Sequence, residues 1–256
     1  MKKLIVANWK SYVASEEDAL ALAEVCAGLK IPKEVEVVVC PPAVYLDDIK
    51  GKLGEVKLGA QNVSLHDSGA MTGAVTIEML QDIGAEYVIL GHSERRAEHE
   101  TNEEIKRKVD HAIKAGLKVV LCVGESEEIR KLGLETALNF VCNELSESLP
   151  ELQTANYLPT GQAGSLLTVA YEPVWAISKA GEGRHDTPDD ASTMIMAIKA
   201  FLSSKFTIEK PVVLYGGSLN SENAAGFLSK ANIDGGLVGY ASTKAEEFKK
   251  IIDAAG

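Results

Sequence analysis

Short apolar runs alternate with amphipathic stretches along the whole chain. The runs are rich in Val, Ile, Leu and Ala, and they predict strands at 4–8, 35–40, 57–61, 87–90, 118–122, 166–171, 211–215 and 235–238. The run at 166–170 is largely apolar instead of alternating with polar residues, so this strand is expected to be buried on both faces. Helical spacing of apolar residues follows each run, so the pattern predicts one helix after each strand.

Capping signals mark where several of these helices begin. Ser15 is followed by three acidic residues and predicts a helix over 15–29. The stretch 101–104, Thr-Asn-Glu-Glu, is a capping box at the start of another helix. Thr187 and Pro188 begin a third, with Thr187 as the N-cap and Pro188 at the first helical position.

Strict alternation of strands and helices implies parallel strands joined by right-handed crossovers. Eight such units fit a closed (β/α)8 barrel, and we expect residues 1–256 to form one α/β catalytic domain of this type. An open, doubly wound sheet is the alternative. It would usually carry a glycine-rich fingerprint after its first strand, whereas this chain has Asn8, Trp9 and Lys10 there.

Composition and net charge limit the classes of partner that the chain is expected to bind. The chain has 256 residues, 46% of them hydrophobic, which suffices for a large core, and its formal net charge is −11. This charge argues against nucleic-acid and acidic-membrane partners, although local cations and backbone N–H groups could still bind an anionic substrate.

The cysteines are scattered without metal-site spacing and are expected to be reduced core thiols of a cytoplasmic protein. No stretch has the length expected of a membrane span, and the N-terminal apolar run is too short for a signal peptide.

The carboxyl ends of parallel barrel strands converge on one face, where chemistry is expected. In chain order, the groups predicted there are Asn8, Lys10, His92, Glu94, Glu125, Glu172, Ser218 and Gly239. Each has a simpler alternative. Lys10 could be a surface lysine, His92 a hydrogen-bonded core histidine, and Glu172 a strand terminator that faces water.

Glu172 has the most informative surroundings. Pro173 cannot continue a central strand, so the strand is expected to end at Glu172. A stretch rich in glycine and charge follows at 178–186, before the helix at Thr187. A strand, a carboxylate, a hinge and a mobile loop are typical of a general base beneath a lid. The turns at 216–217 and at Gly239 could be plain strand-to-helix turns, or they could bind phosphate through backbone N–H groups, as loops after strands seven and eight often do in barrels.

These motifs resemble the triosephosphate isomerase family, and the likeness runs through essentially the whole chain. The matching stretches are 7–10, 60–62, 87–96, 170–177, 215–218 and 237–239. The resemblance implies a TIM barrel that interconverts glyceraldehyde 3-phosphate and dihydroxyacetone phosphate through an enediolate, in glycolysis and gluconeogenesis. It also implies a cytoplasmic homodimer, and the implied reaction requires neither a cofactor nor a metal.

The resemblance further implies a role for each site residue. Glu172 would be the catalytic base, His92 the neutral electrophile and Lys10 the fixed cation. Asn8 would lie beside Lys10, and Glu94 would be the partner of the lysine. The phosphate would be held at Ser178, Ser218, Gly239 and Tyr240, mainly through backbone N–H groups. Tyr171, Trp175 and Glu125 occupy the positions that latch the family's lid.

The chain departs from the family pattern at several positions. Ser11 and Tyr12 replace the usual Met-Asn, the loop 69–74 has altered residues, and the lid is a few residues longer. Thr72, at the tip of that loop, is expected to dock against the active-site region of a partner subunit. Tyr240 replaces a glycine, so we expect a negative φ there and a phosphate contact through its N–H.

Two other functions stay open on the sequence. One is a lyase or aldolase in which Lys10 forms a Schiff base with the substrate. The other is a phosphate-binding barrel without catalysis, in which Glu172, His92 or Lys10 would be expected to be replaced. All three residues are present.

Overall fold

The structure is a computed structural model that describes residues 2–152, 165–177 and 186–256. Within these residues, parallel strands close into an eight-stranded barrel in chain order, with β8 paired to β1. The strands are β1 (Lys3–Asn8), β2 (Val35–Cys40), β3 (Lys57–Ala60), β4 (Tyr87–Leu90), β5 (Lys118–Val123), β6 (Leu167–Tyr171), β7 (Val212–Tyr215) and β8 (Gly235–Val238). The closed barrel is confirmed and the open sheet is excluded.

Helices cover the outside of the barrel. They are α1 (Glu16–Ala27), α2 (Leu46–Ile49), α3 (Ile77–Asp82), α4 (Ser93–Ala97), α5 (Asn102–Lys114), α6 (Glu127–Lys131), α7 (Leu134–Ser148), α8 (Pro188–Phe206), α9 (Ala224–Leu228) and α10 (Ala245–Ala255). Short 3₁₀ helices lie at Ala43–Tyr45, Val174–Ala176 and Tyr240–Thr243. The predicted caps are confirmed, because Ser15, Thr101 and Thr187 each accept a backbone N–H of the first turn.

The strands are apolar on both faces because each face meets a different part of the core. Leu4 and Val6 of β1 point into the barrel interior, whereas Ile5 and Ala7 belong to the larger core between the strands and the helices. All four are buried. A parallel strand covered by helices has no solvent face, so its sequence carries no polar alternation. In β6, where this burial is expected from the sequence, every residue is buried, which confirms the expectation.

The remaining sequence expectations about the fold concern thiols and membranes. Cys26, Cys40, Cys122 and Cys142 are all free, and the first three are buried. In the described ranges, none of the helices has both the length and the apolar character needed to cross a membrane.

Candidate active site

A cavity of about 530 Å³ opens at the carboxyl ends of the strands. Its polar lining comes from separate strand ends, as the barrel geometry predicts. The lining groups that concern the predicted chemistry are Asn8, Lys10, His92, Glu172, Ser218 and Tyr240. The fold therefore brings these residues from opposite ends of the chain to one site.

Lys10 adopts a left-handed backbone conformation, with φ of +48°. Such a conformation is uncommon outside glycine, and strained backbone of this kind costs about 1–3 kcal/mol. Two hydrogen bonds hold it in place. The N–H of Lys10 donates to Asn8 Oδ1 at 3.1 Å, and Gln61 Nε2 donates to the carbonyl of Lys10 at 2.9 Å. Gln61 Nε2 also donates to the carbonyl of Cys40 at 3.0 Å, so its amide joins β1 to β2.

The ammonium of Lys10 is paired as the sequence predicts. Lys10 Nζ donates to Glu94 Oε1 at 2.7 Å, and Glu94 itself is largely exposed. The pair joins the end of β1 to the first turn of α4. Since an exposed ion pair contributes at most about 1 kcal/mol, its main effect here is to orient the lysine side chain.

His92 and Glu172 form a buried pair. His92 is the N-cap of α4, and its Nδ1 accepts the N–H of Glu94 at 3.2 Å. Because Nδ1 is an acceptor, the proton of the neutral ring lies on Nε2, which is 3.1 Å from Glu172 Oε1. The N–H of Ser93 donates to Glu172 Oε2 at 3.3 Å. Both oxygens of a carboxylate that is only 2% exposed thus face donors.

The same interactions explain how these two groups ionise. Burial raises the pKa of Glu172, but the His92 ring, the Ser93 N–H and the charge of Lys10 outweigh burial, so its pKa lies below the usual value. Burial also lowers the pKa of His92, and the facing Glu172 carboxylate outweighs this effect and raises it. The increase at His92 depends on that carboxylate. The arrangement can hold an ionised base beside an N–H donor in a site screened from water.

Gly216 leaves the space that the side chain of Glu172 occupies. An alanine Cβ at position 216 would lie 2.7 Å from Cγ of Glu172 and 3.2 Å from the carbonyl oxygen of Tyr171. From the sequence, the pair at 216–217 is interpreted as a phosphate-binding turn or a plain strand-to-helix turn. No local signal shows that the side chain of Glu172 packs directly on this backbone.

The structure describes part of the predicted phosphate-binding set. The N–H and the Oγ of Ser218 both donate to the carbonyl of Ala176, at 3.1 and 2.7 Å. Tyr240 begins a 3₁₀ helix, and among the described residues positive φ outside glycine occurs at Lys10, His99 and Thr207. The expected negative φ of Tyr240 is therefore confirmed. Ser178 and the predicted lid up to residue 185 lie outside the described residues.

The three residues predicted to latch the lid meet at one carboxylate. Tyr171 Oη and Trp175 Nε1 both donate to Glu125 Oε1, at 3.0 and 2.9 Å, and Glu125 is fully buried. Trp175 lies in the 3₁₀ helix that follows Pro173. The shared acceptor therefore fixes the chain just beyond Glu172 to the end of β5.

A second cavity, of about 540 Å³, lies beside the first and shares Asn8, Lys10 and His92 with it. Its other walls include Gln61, Gly73, Glu94, Arg95 and Lys108. In the described ranges, no three His, Cys, Asp or Glu residues lie together in a group that could hold a metal ion.

Comparison with known proteins gives one consistent result. A family model described as triosephosphate isomerase matches residues 3–255. The triosephosphate isomerase of Paracidovorax citrulli is 40% identical over 261 residues, which cover 99% of this chain and 98% of the relative. That of Carboxydothermus hydrogenoformans is 41% identical over 259 residues, which cover 98% of each. That of Ruegeria is 40% identical over 256 residues, which cover 99% of this chain and 98% of the relative.

Proposed function

The chain belongs to the triosephosphate isomerase family, and we propose that Glu172, His92 and Lys10 are the groups with which it carries out catalysis. The enzyme interconverts glyceraldehyde 3-phosphate and dihydroxyacetone phosphate, a step of glycolysis. The observation that carries the assignment of roles is the contact of Glu172 Oε1 with His92 Nε2 at 3.1 Å, at the floor of the cavity.

Glu172 takes a proton from the carbon beside the substrate carbonyl and returns it to the neighbouring carbon. The N–H of His92 Nε2 and the ammonium of Lys10 hydrogen-bond the oxygens, on which negative charge develops as the enediolate forms. Substrate must enter between Glu172 and His92 and separate the two side chains. Once they are separated, Glu172 loses the His92 contact that helps to lower its pKa, which strengthens the carboxylate as a base.

Phosphate is held at the other end of the cavity. The binding groups are the backbone N–H groups of Ser178, Ser218, Gly239 and Tyr240, supported by the charge of Lys10. Because the N–H of Ser218 donates to Ala176 in this structure, phosphate binding requires this bond to open. Ala176 lies two residues before the predicted lid, so we propose that phosphate binding and lid movement are coupled through it, with Glu125 as the latch acceptor.

A glutamine at position 172 tests the catalytic assignment. Glu172→Gln keeps the shape of the side chain but cannot accept the proton, so turnover should fall by about 10² or more. Affinity for inorganic phosphate should stay within a few-fold of the unmodified enzyme. Glu246→Gln, an exposed change on α10, is the matched control and should leave the kinetics unchanged. Retention of more than about a tenth of turnover by Glu172→Gln would contradict the general-base role.

The same preparation tests the Schiff-base alternative for Lys10. Lys10 Nζ contacts Glu94 Oε1 at 2.7 Å, and a Schiff base at this nitrogen would have to break that contact. Borohydride added during turnover should therefore leave the protein mass unchanged. A substrate adduct on Lys10 would support an aldolase.

We also propose that the whole chain, 1–256, is one catalytic domain that works as a cytoplasmic homodimer, in gluconeogenesis as well as glycolysis. The exposed loop that carries Met71 and Thr72 is a suitable occupant for the second cavity of a partner subunit, beside Lys10. The free thiols suit a reducing compartment. Sedimentation at micromolar concentration should give the dimer mass, and Thr72→Arg should weaken the dimer. A fully active monomer would refute this assembly.

A further inference from the structure

Two half-exposed tyrosines stand at the phosphate end of the active-site cavity, and the catalytic steps above use neither ring. Tyr12 and Tyr240 are 49% and 55% exposed, and both line the cavity. Their ring centroids are 5.1 Å apart with an interplanar angle of 69°, which is an edge-to-face arrangement. Edge-to-face pairs are stabilising beyond the area they bury.

The pair joins two loops that carry different parts of the site. Tyr12 lies in the turn after β1, where its N–H donates to the carbonyl of Trp9 at 3.2 Å, two residues beyond the strained backbone of Lys10. Tyr240 opens the 3₁₀ helix after β8, and its N–H is one of the proposed phosphate ligands. The two loops also meet at a second point, because an ideal Cβ on Gly239 would lie 3.4 Å from Cε of Lys10.

The backbone of the Tyr240 turn is further held by its own hydrogen bonds and by a cation. The carbonyl of Gly239 accepts both the N–H and the Oγ of Ser242, at 2.9 and 2.7 Å. Lys244 Nζ lies 5.0 Å from the centroid of the Tyr240 ring. A side chain anchored in this way restricts the peptide unit on its N-terminal side, whereas glycine would leave that unit free.

We propose that Tyr12 is a positioning residue for the phosphate group: its ring holds the turn of Tyr240 so that the Tyr240 N–H stays directed at the phosphate beside Lys10. The inference rests on the proposed function, in which this N–H is a ligand. The pairing of the rings lowers the cost of ordering the turn when substrate binds, which is the general advantage of preorganisation. It should therefore matter only for ligands that carry a phosphate.

Tyr12→Ala tests this with two substrates. The value of kcat/KM for glyceraldehyde 3-phosphate should fall by about 2- to 10-fold, the range expected for one aromatic pair. The value for D-glyceraldehyde, the same aldose without phosphate, should not change. Tyr12→Phe keeps the ring and should restore the activity. Phe140→Ala, which removes an exposed ring from α7, controls for a general effect of removing an aromatic side chain.

Direct binding of inorganic phosphate gives a second readout that does not depend on turnover. Calorimetry should show weaker binding to Tyr12→Ala by a similar factor, and Tyr12→Ala should have no additional effect in a Tyr240→Ala background. Equal decreases with both aldoses would show that Tyr12 supports Lys10 or the fold instead, and this would overturn the inference. So would unchanged kcat/KM and phosphate affinity. An unmodified enzyme without isomerase activity would refute the proposed function, and phosphate binding would still decide the role of Tyr12.

Discussion

Gly216→Ala changes the position of the Glu172 carboxylate, the proposed base, without changing its chemistry. The new Cβ would lie 2.7 Å from Cγ of Glu172, whereas carbon atoms in contact are normally about 3.5–4.0 Å apart. The carbonyl oxygen of Tyr171, at 3.2 Å, prevents the Cβ from moving away on that side. The Glu172 side chain must therefore shift by about 1 Å. It then leaves its position opposite His92 Nε2.

A misplacement of about 1 Å in a catalytic group can cost about 10²-fold in rate, which is roughly 2.7 kcal/mol in the activation barrier. We expect kcat to fall by about that factor in both directions of the reaction. The affinity for inorganic phosphate should change little, because Glu172 is not among the proposed phosphate-binding groups. Overpacking also costs about 1–3 kcal/mol of folding stability, so the folded fraction must be measured alongside.

The matched control is Gly28→Ala, where the nearest atoms to an ideal Cβ are backbone oxygens at 3.6 Å, an ordinary separation. Its kinetics should equal those of the unmodified enzyme. A folded Gly216→Ala variant with at least half of the original kcat would refute the argument that this backbone fixes the carboxylate. A variant with normal kcat but weakened phosphate binding would show that the turn serves the phosphate alone.

Two further predictions concern other parts of the molecule. Gln61→Ala removes the donor to the carbonyls of Lys10 and Cys40. Chemical denaturation should therefore show a decrease of about 1–3 kcal/mol in stability, and kcat/KM should be reduced. Unchanged values for both would contradict the role of Gln61 in holding Lys10. Burial raises the pKa of Asp186 to about 6 from an ordinary value of 3.8. The folded protein therefore binds this proton more tightly than the unfolded chain does, and the stability of the fold decreases as pH rises between these two values. Asp186→Asn should therefore gain stability over the unmodified protein as pH rises from about 4 to 6, by up to roughly 2 kcal/mol. If urea denaturation gave the same difference in unfolding free energy between the two proteins at every pH, this prediction would be wrong.

The sequence by itself determined the architecture and the location of the candidate site. Apolar runs placed β6 at 166–171, and the structure has Leu167–Tyr171. Caps at Ser15, Thr101 and Thr187 were recognisable because each depends on residues within one helical turn. Glu172 was placed at the barrel mouth because strand direction and the following proline are both local signals. Such features are encoded by neighbouring residues, so one sequence is enough to read them.

Only the tertiary structure decided how the site residues are held. Three features depend on partners from other strands or on the local path of the chain. They are the left-handed backbone of Lys10, the Gln61 amide that supports it and the position of the His92 proton on Nε2. The packing of Glu172 on Gly216 and the bond from Ser218 to Ala176 join segments that are about 40 residues apart. Side-chain patterns report burial and secondary structure, which depend on local spacing. They carry no information on which distant backbone groups meet when the barrel closes.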